Sequence, residues 1–580
     1  MNEEISKILY EIAILLEMKG IQFKPRAYEK ASHAVESLSE PIDEVYKKEG
    51  VKGLMEIPGV GQKIAEKIER YIKTGHIKEY ERLKKQVPVD LEDLSSIEGL
   101  GPKKILKLYK LLHIKHREDL EKALKAGKLR NLRGFGQKTE QNLLQAIGFL
   151  KHGQGRVTLG FVMPSIRALL EKLRSIEGVE KIEIAGSVRR MQETIGDLDI
   201  LAIAKNPKEV MDFFTSMPEV LKVHAKGDTR SAVHLRAGVN ADLRVLPPES
   251  FGAALQYFTG DKYHNVQLRQ IAIKKGYKLN EYGLWKEHPP SHKASEGKEK
   301  LIAGKTEEEI YEKLGMQWMP PEMRTNNGEI EAAIEGKIPK LIEYDELQGD
   351  LQIQTDWTDG EYSIKEMAEA AKKLGLKYIC ITDHTKSLAM TGGNDEKGLL
   401  KEMAEIDKVQ KQVSGIKILK GAEVNIMKDG TLDIKDEVLA KLDVVGAAVH
   451  SNFHMTEKEM IQRIIRAMEN PNVDIIFHPT GRVLQKRDAY KVDMDALIKA
   501  AKRTKTILEI DAYPDRLDLK DEYIKKAIGA GVKLSIDSDA HSIRHLTYLE
   551  FGIGQARRGW ATAKDIINTR SWQDMLKCLK

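Results

Sequence analysis

Three kinds of pattern follow one another along the chain, and together they predict a multidomain protein of mixed α+β and α/β class. Up to about Leu150, apolar residues recur at helical spacing between short glycine turns. From Val157 to Pro247, strand-like runs alternate with helical stretches. Beyond Tyr344, short apolar runs alternate with helices as in a parallel α/β domain. A length of 580 residues accommodates roughly three to five domains, each able to bury a core.

Composition excludes several classes. Hydrophobic residues make up 41% and charged residues 31%, too apolar for a mainly disordered chain and without the glycine repeat of collagen. No long apolar run predicts a membrane span, and the N-terminus MNEEISKILYEIAILLEMK reads as an amphipathic helix rather than a secretory signal. The two cysteines, Cys380 and Cys578, fit a reducing cytoplasm and no thiolate zinc site. Residues 1–340 carry a net charge of +8 and residues 341–580 a net −2, so the front part is the expected polyanion binder.

The helical part holds the pattern apolar-x-Gly-apolar-Gly-x-Lys three times: Ile57 to Lys63 with Gly59 and Gly61, Ile97 to Lys103 with Gly99 and Gly101, and Leu132 to Lys138 with Gly134 and Gly136. Paired glycines permit a tight turn into a helix that leaves backbone N–H groups free for an anion. Three copies in a basic region resemble the helix-hairpin-helix element, which grips the DNA backbone without reading bases. Lys67 stands one helical turn beyond Lys63. Composition alone reads it as a lysine in a DNA-contact stripe; it becomes a Schiff-base nucleophile if Lys24 and Lys63 lower its pKa.

The α/β unit carries Gly186-Ser187-Val188-Arg189-Arg190, then Gly196-Asp197-Leu198-Asp199-Ile200, then Asp242 in Ala241-Asp242-Leu243-Arg244. On a strand, Asp197 and Asp199 share one face while Leu198 and Ile200 turn to the core. Asp242 could complete with them a cage of hard oxygen ligands suited to Mg²⁺, two of which about 3.5–4 Å apart serve phosphoryl transfer. Gly186-Ser187 offers donors to a phosphate, and Arg190 can neutralise developing charge. Helical Asn265 to Lys275, a hairpin around Tyr277 to Trp285 and an exposed loop from Lys286 to Lys300 follow. The Pro320-Pro321 to Gly336 stretch is the expected linker.

In the last domain, seven apolar runs finish in a potential ligand. Leu351 to Gln354 precedes Asp359; Tyr378 to Thr382 precedes Asp383-His384; Ile416 to Ala422 precedes Glu423. Val444 to Val449 precedes His450, and Val473 to Phe477 precedes His478. Thr506 to Leu508 leads to Glu509 and Asp511, and Val532 to Ile536 leads to Asp537, Asp539 and His541. Polar residues gathered at strand C-termini are what the mouth of a catalytic barrel requires.

Gly186 to Asp199, Asp242 with Arg244, and Tyr257-Phe258-Thr259-Gly260 followed by Asn265 and Arg269 resemble the catalytic half of a family X DNA polymerase, and IPGVGQKIAEKI resembles its lyase domain. The resemblance covers residues 1–320. It implies that Asp197, Asp199 and Asp242 hold two Mg²⁺, and that Gly186, Ser187, Arg190, Gly196, Tyr257, Phe258, Gly260 and Asn265 bind the incoming deoxynucleoside triphosphate. It places Arg269 near the template and Lys67 at the Schiff-base position of a 5′-deoxyribose phosphate lyase; Phe23 replaces a histidine found in the lyase pocket of vertebrate members.

The last domain resembles the polymerase and histidinol phosphatase (PHP) domain, a metal-dependent phosphoesterase with a (β/α)7 barrel. That resemblance maps its ligands onto Asp359, His384, Glu423, His450, His478, Asp539 and His541, with Zn²⁺ or Mn²⁺ as occupant. The family's opening His-x-His is Gln352-Ile353-Gln354 here. An amide is a poorer ligand than imidazole, so fewer than the usual three metal positions are expected.

The implied division is a lyase-like helical domain 1–85, a fingers-like domain 86–150, a palm 151–250, a thumb 251–322, a linker 323–342 and a PHP domain 343–580. The implied function is DNA-templated filling of short gaps in base excision repair, by a monomer acting on gapped or nicked DNA in the cytoplasm at the nucleoid, without a membrane. The PHP domain would act as a 3′–5′ exonuclease or on abasic sites, or else be mainly structural. A phosphoesterase carried to DNA by a non-catalytic front half leaves the three aspartates idle. So does a DNA-end scaffold without chemistry.

Overall fold

The computed structural model describes residues 1–580 except 22–23, 37, 39–40, 58, 96, 98–99, 131, 133–134, 137–138, 141–142, 145–155, 287–299 and 389–390. The chain forms two compact units, the first Met1–Gln154 with Gln485–Arg487, the second Gly155–Leu484 and Asp488–Lys580.

In the first unit, amphipathic helices close over a core that includes Ile5, Leu9, Ile64, Ile68, Ile105, Leu108 and Phe135. Two of the glycine turns lead straight into helices: Gly61 caps Gln62–Thr74 and Gly101 caps Pro102–Leu112, both in extended backbone. Proline at the first position of the second helix suits a site whose N–H would have no helical partner.

In the second unit, a five-stranded sheet runs in the order Val179–Ile184, Asp197–Ala204, Asn240–Val245, Arg230–Leu235, Val220–Lys226. Only the pair Asp197–Ala204 and Asn240–Val245 is parallel. Leu198, Ile200, Ala241 and Leu243 face a core shared with the helices Leu159–Arg174 and Pro207–Ser216. Sequence periodicity places the strands that carry the acids but not Val220–Lys226, which is largely exposed, or Arg230–Leu235, whose apolar residues are interrupted by polar ones. The helix Lys262–Lys274 begins three residues ahead of expectation because the Asp261 side chain caps it by accepting from His264 N–H. The hairpin Tyr277–Asn280 and Gly283–Lys286 turns on Asn280, whose side-chain oxygen accepts from the N–H groups of Tyr282 and Gly283. The loop expected after it falls largely on 287–299, outside the described residues.

The expected linker is instead packed structure. Arg324 is fully buried and bonded twice to Glu307, and Ile330 and Ala333 of the helix Glu329–Ile334 join a core with Leu268, Tyr311 and Met319. The prolines suggest an exposed joint, whereas Pro321 starts a short 3-10 turn that buries Glu322 for Arg557.

The last seven strands, Gly349–Ile353, Tyr378–Ile381, Lys417–Asn425, Val444–Ala448, Ile475–Ile476, Ile507–Asp511 and Leu534–Asp537, lie side by side in chain order, all parallel. A bridge between Ile353 and Ala540 brings the first strand to the end of the seventh, with Gln354 N–H donating to the Ala540 carbonyl at 2.9 Å. Strand alternation turns Cys380, Leu419, Ile475 and Ile507 into the barrel and Ile379, Ile418, Ile476 and Leu508 toward the helices. The same alternation points Glu423, Glu509 and Asp511 inward.

Candidate active sites

The parallel pairing of Asp197–Ala204 with Asn240–Val245 sets Asp199 directly beside Asp242, with Asp197 two residues away on the same face. Burial and the repulsion of Asp197 and Asp242 push the Asp199 carboxyl up to about 6, against the pull of Arg244 and Arg190. Among the described residues one counter-charge touches the triad: Arg230 Nε donates to Asp242 Oδ1 at 3.0 Å. The three acids are not drawn into a closed cluster, since among the described residues the only acid and histidine triplets with ligand atoms all within 4.8 Å of one another lie in the barrel.

Beside the acids opens a pocket of about 340 Å³ lined by Gly186, Ser187, Arg190, Asp197, Asp199, Tyr257, Phe258, Gly260 and Asn265, together with Arg156, Gln192, Asp261 and Lys262. Gly186 has φ +63°, and a Cβ there would stand 2.4 Å from Asp199 Oδ2, so glycine is obligatory. The buried Ser187 hydroxyl has no partner, an omission worth about 1–3 kcal/mol unless a ligand completes it. Arg190 donates to the Thr259 carbonyl, and its Nε also lacks a partner. The rings of Tyr257 and Phe258 meet edge to face at 5.1 Å, and Arg244 lies over Phe258 at 4.5 Å. The Asn265 side chain holds the Tyr257 carbonyl at 2.7 Å and accepts from Gln256, so it fixes this step of backbone as well as lining the pocket. Gly196 and the exposed Arg269 are not among the lining residues. Arg156, Gln192 and Lys262 carry no signal in the sequence; Asp261 has one, as the acid before a helix.

The three glycine motifs share one backbone hydrogen bond. Val60, Leu100 and Phe135 each donate N–H to the carbonyl of the residue three back, Ile57, Ile97 and Leu132, at 3.0, 3.0 and 2.8 Å. Gly59 has φ +78°, and Gly61, Gly101 and Gly136 have open space where a Cβ would project. Packing does not demand glycine at these last three, which suits close approach of an external backbone. Gly99, Gly134 and Phe23 lie outside the described residues. Lys67 departs from expectation. Burial lowers its pKa, but Tyr28 and Glu79, with Glu79 Oε2 at 3.2 Å, outweigh this and raise it, so the lowering expected from Lys24 and Lys63 does not prevail.

At the barrel mouth, Asp359, His384 and His541 form one triplet and His384, Glu423 and His450 a second. Glu423 Oε1 is 2.9 Å from Nε2 of both His450 and His478, and Oε2 is 3.3 Å from His384 Nδ1. Burial raises the Glu423 pKa, but these histidines outweigh it and hold the carboxyl well below its usual range. Asn425 Oδ1 meets His450 Nδ1 at 2.8 Å, which turns Nε2 to the site. Both triplets combine imidazole with carboxylate, a donor set that fits Zn²⁺ or Mn²⁺. Asp539 belongs to neither: it pairs with Arg516, a residue that no sequence pattern flags. Gln352 is fully buried with neither amide atom bonded, and Gln354 donates to Glu423 Oε2 at 2.9 Å.

A palm-like sheet with a phosphate-ready pocket, joined to a parallel barrel with histidine and carboxylate triplets at its mouth, defines a two-centred enzyme class acting on phosphate esters. Family models match in the same places: DNA polymerase beta thumb over 254–325, PHP domain over 350–569, helix-hairpin-helix domain over 1–77 and SAM-like helix-hairpin-helix tandem over 91–148. The chain is 37% identical to the DNA polymerase/3′-5′ exonuclease PolX of Bacillus subtilis (strain 168), over 100% of its own length and 99% of the relative's. It is 26% identical to DNA polymerase lambda of Rattus norvegicus over 56% of each chain. A stretch of 218 residues is 33% identical to a probable phosphatase of Thermoanaerobacter sp. (strain X514), over 36% of this chain and 84% of the relative. The chain belongs to the family X DNA polymerases that carry a PHP domain. No helix among the described residues is long and apolar enough to cross a membrane.

Proposed function

We propose that the chain is a DNA-templated DNA polymerase that fills short gaps in base excision repair, and that its barrel resects 3′ ends. One observation carries the polymerase reading: the pocket beside Asp197 and Asp199 also contains the unpartnered Ser187 hydroxyl and the partly unpartnered Arg190. A triphosphate supplies what both lack. Two Mg²⁺ held by Asp197, Asp199 and Asp242 supply, when bound, activation of the 3′ hydroxyl and stabilisation of the leaving oxygen.

The chain's own groups do the rest. Ser187 donates to a phosphate oxygen and Arg190 neutralises its charge. The Tyr257–Phe258 step, fixed by Asn265, walls one side of the nucleotide site. The exposed N-caps Gly61 and Gly101 lead their helices toward DNA phosphate, which positions the duplex without reading it. In the barrel, Glu423 and the histidines would hold Zn²⁺ or Mn²⁺, which would supply Lewis-acid chemistry for hydrolysis of the terminal phosphodiester.

Primer extension on gapped DNA by the natural chain and by Asp242→Ala tests the reading. The natural chain extends, and the variant keeps its fold and its resection but loses extension. Extension by neither protein, or undiminished extension by the variant, contradicts the proposal.

A further inference from the structure

The two triplets account for Asp359, His384, Glu423, His450 and His541, yet more carboxylates line the same mouth. Glu509, Asp511 and Asp539 are buried and stand in neither triplet. His541 Nδ1 comes no nearer than 3.8 Å to Asp539 Oδ1, and on the far side the cation is Arg516. Its Nε lies 3.4 Å from Asp511 Oδ2 and 3.4 Å from Asp539 Oδ2, and its charge also acts on Glu423 and His478. The guanidinium therefore sits among acids from the ends of the third, sixth and seventh strands.

The glutamines complete the picture. Gln354 turns its amide N–H, a donor, toward Glu423, where a metal ligand would offer a lone pair. Gln352 offers neither end to any described group. A third cation among Gln352, Gln354, Glu423 and Asp539 would find the free amide oxygens of Gln352 and Gln354 where the family has imidazoles, with Glu423 already shared by the second triplet and Asp539 already paired with a guanidinium. At low dielectric the guanidinium repels such an ion, and two neutral amide oxygens offer it no compensating charge. The residues present do not fit a third ion.

Arg516 cannot readily leave. It lies on the short segment between Asp511 and Asp518, whose Tyr513 and Leu517 pack with the palm core, and Pro514 lies against Gly160. Only 23% of its side chain is exposed. The palm thus fixes the loop that delivers the charge.

We infer that the barrel mouth holds two divalent cations, and that the Arg516 guanidinium is the built-in third cation, neutralising Asp511 and Asp539. The inference rests on reading the mouth as a metal centre. Zinc content of the full chain tests it, measured by mass spectrometry after equilibration with Zn²⁺ and gel filtration. Every sample carries Asp197→Asn and Asp199→Asn so that the palm contributes no ion.

Two zinc ions per chain are expected, and still two when Gln352→His and Gln354→His restore imidazoles. Adding Arg516→Met to that pair admits a third. Three ions without any change in the barrel, or a third ion entering the histidine pair while Arg516 is present, overturns the inference. No bound zinc at all overturns the metal-centre reading itself. If the Arg516→Met protein does not fold, the first two counts still decide.

Discussion

The palm and the barrel mouth both gather carboxylates at strand ends, but they balance the charge differently. In the palm, Asp197, Asp199 and Asp242 share one face of the sheet with Arg230 as the one touching cation among the described residues, and that side chain is 56% exposed. In the barrel, Glu423 is met by three histidines, and Asp511 and Asp539 by a mostly buried arginine. An acid cluster left open in this way suits metal ions that arrive and leave with a nucleotide. A cluster compensated from within suits ions that stay and retains part of its order without them.

The largest expected effect comes from the residue where the barrel's histidines converge. Glu423→Ala removes the carboxylate shared by His384, His450 and His478, and 3′ resection falls by about a thousandfold or more, the equivalent of several kcal/mol of charge stabilisation. Gap filling persists, read on the same gapped substrate; resection at the original rate would mean the barrel's charge balance has nothing to do with chemistry.

A smaller effect is read by pH, in the barrel. Burial, reinforced by Asp537, raises the Asp350 carboxyl to about 8 despite donation from Ser538. Its pKa in the unfolded chain is about 3.9. A raised folded-state pKa gives stability that is complete below the unfolded value and lost as pH climbs through the folded one. The stability contributed by Asp350 in the metal-free protein therefore declines between pH about 4 and about 8, and Asp350→Asn removes that component from the pH dependence in urea titrations. An unchanged slope would assign the pH dependence elsewhere.

The smallest effect tests how peripheral the palm's cation is. Exposed ion pairs contribute about 0–1 kcal/mol, so Arg230→Met changes the gap-filling rate by less than about fivefold. A loss of a hundredfold would make Arg230 part of the nucleotide machinery.

Much of this is legible in the sequence because period-two alternation is strict where one strand face must be apolar. Asp197, Asp199 and Asp242 stand out against Leu198, Ile200, Ala241 and Leu243, and the parallel register then sets them side by side. All seven barrel strands are legible as apolar runs, since a parallel barrel buries both strand faces. Arg516 is not, because its meaning comes from a loop held between two cores, a long-range arrangement without periodicity. The packed stretch around Arg324 misleads for the converse reason: proline suggests exposure locally, but a buried ion pair with Glu307 decides. The partners of Lys67 are not legible because the groups that set its charge, Tyr28 and Glu79, come from other helices.

The central claim is that two separate centres act on one DNA. Asp199→Ala, assayed on a single-nucleotide gap for both extension and 3′ resection, tests it most directly. Extension reduced about a thousandfold with resection within about twofold of the natural chain is the predicted result. Parallel loss of both activities in a folded protein, or extension that survives, would contradict it.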